Sequence, residues 1–189
     1  MTTLYERYLT TGNYVCNQLS VTGSDVIQGQ AFTVGTTGEN TSHHLTSLII
    51  WARRVADPGD WTTSIYACDQ EHKPTGSLLA SKTLLEADLT TNANGLEVLI
   101  EFSSPVLLRK NNEYCWLVNA PASTASKNVI LMGGGSASPC FNPLYPDGRA
   151  LTSTDAGATW TVSAVRSLYF KEYGYGRASS LTVTGDMML

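Results

Sequence analysis

Charge is scarce in this chain of 189 residues: Lys, Arg, Asp and Glu together make up 15% of it, and 16 acidic residues against 12 basic ones leave a net charge of −4. A surface that neutralises phosphates concentrates Lys and Arg on one face. Here basic residues adjoin only at Arg53-Arg54 and Arg109-Lys110. Both pairs read as solvated strand edges or turns, so nucleic acid is not an expected partner. Long apolar runs are missing as well. None exceeds the length of Leu48-Ile49-Ile50-Trp51-Ala52, far below the roughly 20 residues of a membrane-spanning helix, so no membrane partner is expected. The first fifteen residues lack the basic start and apolar stretch of a secretory leader. The expectation is synthesis in a cytoplasm, where the protein stays or which it leaves by lysis or within an assembled particle. A secreted or cell-surface chain already trimmed of its leader would read the same.

Closely spaced cysteines are also absent. Cys16, Cys68, Cys115 and Cys140 are far apart in sequence, which excludes the C-x-x-C pairs of zinc knuckles and thioredoxin-like motifs, and neither metal nor cofactor is expected. Cys16, Cys68 and Cys115 lie in strand-like stretches, where a free thiol acts as a small buried hydrophobe; disulfide pairing is the alternative. Cys140 sits in a loop-like stretch.

Catalytic signatures are missing too. His43 and His44 are adjacent and point to opposite faces of an extended chain, and His72 lies in a polar turn, so all three read as surface residues. Gly133-Gly134-Gly135-Ser136 lacks the lysine of a phosphate-binding loop, and no G-x-S-x-G elbow occurs. Glu97 and Glu101 share a strand face but stand about 13 Å apart, beyond the roughly 5–9.5 Å of a glycosidase pair. The expectation is a protein that is not an enzyme.

What is present is β-structure. Apolar residues make up 42% of the chain, many of them β-branched or aromatic, and Gly, Asn, Asp or Pro interrupt them about every 8–12 residues. This spacing predicts an all-β, antiparallel two-sheet sandwich over residues 15–176, with an N-terminal arm over 1–14 and a C-terminal arm over 177–189. Trp61, Thr63, Ile65 and Ala67 alternate with Thr62, Ser64, Tyr66 and Cys68, as in a half-buried strand. Bulk on both sides of 114–119 and of 48–51 predicts central strands. Asp57-Pro58-Gly59-Asp60 carries turn chemistry and predicts a hairpin joining 45–55 to 61–68; 92–95, 109–112 and 146–148 read likewise. Leu4, Tyr5, Tyr8 and Leu9 fall at helical spacing, and Met187, Met188 and Leu189 end the chain. Apolar arms of this kind suit docking on another subunit or on the same domain.

Ser153-Thr154-Asp155-Ala156-Gly157-Ala158-Thr159-Trp160 matches the Asp-box pattern S/T-x-D-x-G-x-T-W. The aspartate can accept amide hydrogen bonds within its own turn, the glycine permits the reversal and the tryptophan packs beneath. A structural role is expected for Ser153, Asp155, Gly157, Thr159 and Trp160. Flat aromatic faces that could stack on sugars are offered by Trp61, Tyr66, Tyr145 and Tyr175, although sandwich cores also consume such residues.

The order of residues 30–34, 45–48, 64–69, 73–80 and 112–118 resembles jelly-roll-type sandwich domains of bacterial surface proteins and of phage virion and tail-fibre proteins. That resemblance implies display, adhesion or glycan contact without catalysis. The leading expectation is a virion structural protein, a phage head-decoration or fibre subunit, partnered by itself as a homo-oligomer and by other virion proteins. The alternative is a carbohydrate-binding or adhesin module that contacts a host surface glycan.

Overall fold

The computed structural model describes residues 2–9, 17–135, 145–146 and 148–176. They form two antiparallel sheets packed face to face, a β-sandwich. The strands in chain order are β1 (Thr3–Tyr8), β2 (Asn17–Val21), β3 (Ile27–Thr33), β4 (His43–Val55), β5 (Trp61–Cys68), β6 (Pro74–Leu84) and β7 (Leu96–Leu108). They continue with β8 (Glu113–Asn119), β9 (Asn128–Gly135), β10 (Ala150–Ser153), β11 (Thr161–Ser163), β12 (Arg166–Leu168) and β13 (Phe170–Gly176). Among the described residues no helix is long and apolar enough to cross a membrane.

The six-stranded sheet runs β11-β10-β3-β8-β5-β6. The other has seven strands, β1-β13-β4-β9-β12, with β7 on the free edge of β4 and β2 on that of β9. The strands with bulk on both faces take central places: β8 lies between β3 and β5, and β4 pairs with β7, β13 and β9. Inward residues from both sheets, including Phe32, Leu48, Ile50, Trp61, Ile65, Ile100, Trp116, Leu131 and Phe170, make one core with almost no solvent contact. Each such side chain stabilises the fold by roughly 1.5–3 kcal/mol relative to exposure.

Two expectations are corrected. Residues 3–8 are a strand, not a helix, paired antiparallel with β13. A register shift between Leu4 and Glu6 turns Tyr5 and Glu6 inward together, with Tyr8 after them, so a bulged strand mimics the i, i+3 spacing of a helix. Tyr5 and Tyr8 are thereby buried within their own domain, Leu4 is half-buried and Leu9 exposed. Met187, Met188 and Leu189 lie outside the described residues, as do Cys16 and Cys140.

The segment 57–60 does not close a hairpin either. It carries the chain from β4 in one sheet to β5 in the other, as 109–112 carries it from β7 to β8. Both edges of β4 are already taken, by β7 on one side and by β13 and β9 on the other, so β5 has no place beside it. The glycines ending β9 also gain a reason: a Cβ on Gly133 would stand 2.0 Å from the Ser167 carbonyl oxygen, so only glycine lets β12 pair there.

Candidate ligand-binding site

The outer face of the six-stranded sheet is not a plain polar surface. The residues of β3, β8 and β10 that point away from the core include Ala31, Cys115, Leu117 and Leu151, all buried. Ile27, Tyr66, Cys68, Trp160 and Val162 pack around them as a second, smaller apolar cluster. The Asp-box turn between β10 and β11 overhangs this face, and the start of β6 overhangs it elsewhere.

The Asp-box turn is held by its own side chains. Asp155 Oδ1 accepts hydrogen bonds from the Thr159 amide at 2.9 Å and the Ser153 hydroxyl at 2.8 Å. Asp155 Oδ2 accepts one from the Thr159 hydroxyl at 2.6 Å. The Ser153 oxygen in turn accepts the Gly157 amide at 2.8 Å. Gly157 sits at φ +92°, a conformation that L side chains rarely adopt. The hydrogen bonds from Thr159, hydroxyl first and then amide, with that of Ser153, hold the Asp155 carboxyl below its ordinary range. Trp160 donates its indole N–H to the Gly157 carbonyl at 3.1 Å, which fixes the ring half-buried against the sheet.

Between the two overhangs lies a groove of about 450 Å³. Ile27, Leu117 and Asn119 with Ser64 and Tyr66 form its floor, Ala156, Gly157 and Trp160 one wall, and Pro74, Thr75 and Gly76 the other. The second wall exists because β6 is irregular: Ala67 pairs with Thr75 but Ile65 with Ala80, so extra β6 residues bulge from the ladder and Gly76 takes φ +72°. No Lys, Arg, His, Asp or Glu lines the groove.

Of the four aromatics read as sugar contacts, Tyr66 alone reaches this groove. Trp61 and Tyr145 are 0% exposed and belong to the core, which corrects the expectation that they present stacking faces. Trp61 points between the sheets and donates to the Leu85 carbonyl at 3.3 Å, while Tyr145 packs edge-on against Phe170. Tyr175 is 42% exposed but belongs to the other sheet, stacked on His44 at 5.1 Å. Trp160, read as a turn anchor, is the second aromatic of the groove. Leu117 and Asn119 carried a usable signal, since they alternate with the core residues Trp116 and Val118.

Two clusters of titratable side chains lie elsewhere. At one end of the core, His43 Nε2 meets Glu172 Oε1 at 2.7 Å, with both side chains fully buried. His43 is therefore a core residue, which corrects its reading as a surface one. Its Nδ1 lies 3.0 Å from the Thr41 carbonyl, and Tyr5 stacks on the ring at 3.7 Å. Glu6, also buried, accepts the Gly35 and Thr37 amides, the Thr37 hydroxyl and the Tyr145 hydroxyl. Glu6 therefore ties β1 to the loop after β3.

On the outer face of the six-stranded sheet, His72 Nδ1 lies 2.8 Å from Glu113, next to the free thiols Cys68 and Cys115. This is not an activated nucleophile. The hydrogen bond with Cys115 and then burial push the Cys68 thiol far above its ordinary value, whereas reactive cysteines are held below it. Among the described residues no group of three or more His, Cys, Asp or Glu is placed to hold a metal ion.

No protein-family model matches the chain, and no curated protein matches it significantly.

Proposed function

We propose that this chain is a non-catalytic β-sandwich binding module that holds a carbohydrate in the groove on its six-stranded sheet. One observation carries the reading: Tyr66 and Trp160, both half-buried, line the same groove with the polar side chains of Ser64, Thr75 and Asn119. A sugar ring offers an apolar C–H face and a rim of hydroxyls, and it is held by stacking on an aromatic ring while polar groups take the rim. The volume of about 450 Å³ falls in the range of small-molecule sites, roughly 300–1,000 Å³. Binding without catalysis is supported by the lining, which has no carboxylate pair, imidazole or activated thiol. The test is a tryptophan-fluorescence titration of the full chain against a broad oligosaccharide panel. A saturable change is expected with at least one member, and a flat response to all of them would overturn the reading.

A second reading, assembly and surface display as in a virion decoration or fibre subunit, is favoured by a different feature. Leu78 and Leu79 of β6 and Leu96 and Leu99 of β7 are about half exposed, on the edge strands of the two sheets. Edge strands with exposed leucines invite pairing with a second copy. Light scattering tests it: an oligomer that becomes monomeric in the Leu96→Asp/Leu99→Asp double variant supports assembly through this edge, and a monomeric wild type removes it.

A further inference from the structure

Resting on the carbohydrate reading of the groove, we infer that its ligand is an electrically neutral pyranose sugar, and that sialic, uronic and sulfated sugars are excluded. The groove's eleven lining residues, three from one wall, three from the other and five from the floor, include no cation. A carboxylate or sulfate moved from water into a partly enclosed site must be met by Arg, Lys or several aimed N–H donors, or its desolvation goes uncompensated. Three N–H donors at the groove already have partners. The Gly157 amide donates to Ser153 and the Trp160 indole to the Gly157 carbonyl. One N–H of the Asn119 side-chain amide donates to the Ser24 carbonyl at 3.0 Å, which leaves its second for a neutral hydroxyl.

A carboxylate in one wall points the same way. Asp155 carries a full charge within the turn that forms a wall, and its oxygens are turned to Ser153 and Thr159. It adds negative potential beside the groove with no cation in the lining to offset it, which further disfavours an anion. What remains is suited to neutral hydroxyl-bearing rings: Tyr66 and Trp160 for stacking, with the Ser64 and Thr75 hydroxyls and the Asn119 carbonyl oxygen for the rim. Recognition of this kind draws little on charge, so its affinity is nearly insensitive to ionic strength.

The experiment is calorimetric titration of the full chain with two oligosaccharide panels, one of neutral hexose and N-acetylhexosamine sugars and one of sialylated, uronic and sulfated sugars. Each is run at about 50 mM and about 500 mM salt. Two variants accompany the wild type, Tyr66→Ala, which removes a stacking face, and Ser64→Arg, which puts a large cation on the floor. Thermal melts confirm that each is folded. The expected result is binding within the neutral panel alone, changing less than about twofold with salt and weakening about tenfold in Tyr66→Ala. Ser64→Arg is the independent check should Tyr66→Ala fail to fold, and is expected to weaken neutral binding at least as much. Binding confined to acidic sugars and weakened by salt would overturn neutral selection while leaving carbohydrate binding in place. Neutral binding unaffected in a folded variant of either kind would move the site away from this groove. Silence from both panels would overturn the carbohydrate reading itself.

Discussion

His43 Nε2 and Glu172 Oε1 lie 2.7 Å apart with no solvent contact. The Thr41 carbonyl at 3.0 Å can only accept, so His43 Nδ1 must carry a hydrogen. The link between Nε2 and Oε1 then needs one proton of its own, whether it resides on nitrogen or on oxygen. Burial works against the imidazolium, but the hydrogen bond and charge of Glu172 outweigh it, and His43 is held above its ordinary value. Burial raises Glu172 as well, helped by the charge of Glu6 directly opposite on β1.

A group whose folded value is raised stabilises the fold fully below its unfolded value, about 6.5 for histidine, and that contribution is lost as pH rises through the folded value. The melting temperature is therefore expected to fall as pH is raised from about 6 towards 9, with β1 the first strand to gain amide exchange. Glu172→Gln removes the shared proton and is expected to flatten this slope while lowering stability at pH 6. A slope unchanged in that variant would show that another group sets it.

Cys68 and Cys115 are expected to resist alkylation in the folded protein. Cys115 is fully buried, and the thiolate of Cys68 is disfavoured by its neighbour and its surroundings. Maleimide labelling at pH 7.5 followed by peptide mass mapping should leave both unmodified over hours, and label both once urea is added. Rapid native labelling at Cys68 would mean that this part of the sheet opens far more readily than its packing implies.

Asp155 anchors the turn through Thr159 and Ser153 and is held below its ordinary value. By the sign of that shift its contribution is present above the ordinary aspartate value, about 3.9, and lost as pH falls through the folded one. Asp155→Ala is expected to lower the melting temperature at pH 7 but not at strongly acid pH. Since Trp160 hangs from the same turn, its fluorescence should shift red and groove affinity should drop. An unchanged spectrum would mean that the indole is placed by the sheet alone.

Legibility in the sequence followed the range of the interactions. The Asp-box could be read because every side-chain hydrogen bond that holds it spans four residues or fewer. The strands could be read because alternation is local, and β1 was misread because its bulge inserts one residue into that alternation. The crossings at 57–60 and 109–112 looked like hairpins because turn chemistry says that the chain reverses, not which sheet receives it. The groove was out of reach because its walls, 74–76 and 156–160, are some eighty residues apart and meet only across a finished sheet. His43 was misassigned because its partner, Glu172, is 129 residues away.

Trp61 and Tyr66 separate core from site most directly, since both are aromatic residues of β5 on opposite faces of one sheet. Trp61 is fully buried between the sheets, so Trp61→Ala leaves a large cavity and is expected to cost about 3–5 kcal/mol. Tyr66 packs on the outer face with one side open to the groove, so Tyr66→Ala is expected to cost less, about 1 kcal/mol. Urea unfolding measures both, and similar slopes for the variants would show that the midpoints report stability and not a changed denatured state. The functional consequences are expected in the reverse order, with ligand affinity weakened about tenfold in Tyr66→Ala and retained in Trp61→Ala below its unfolding temperature. Equal stability losses would mean that Tyr66 is structural cladding for the second apolar cluster and that the groove has one working aromatic, Trp160.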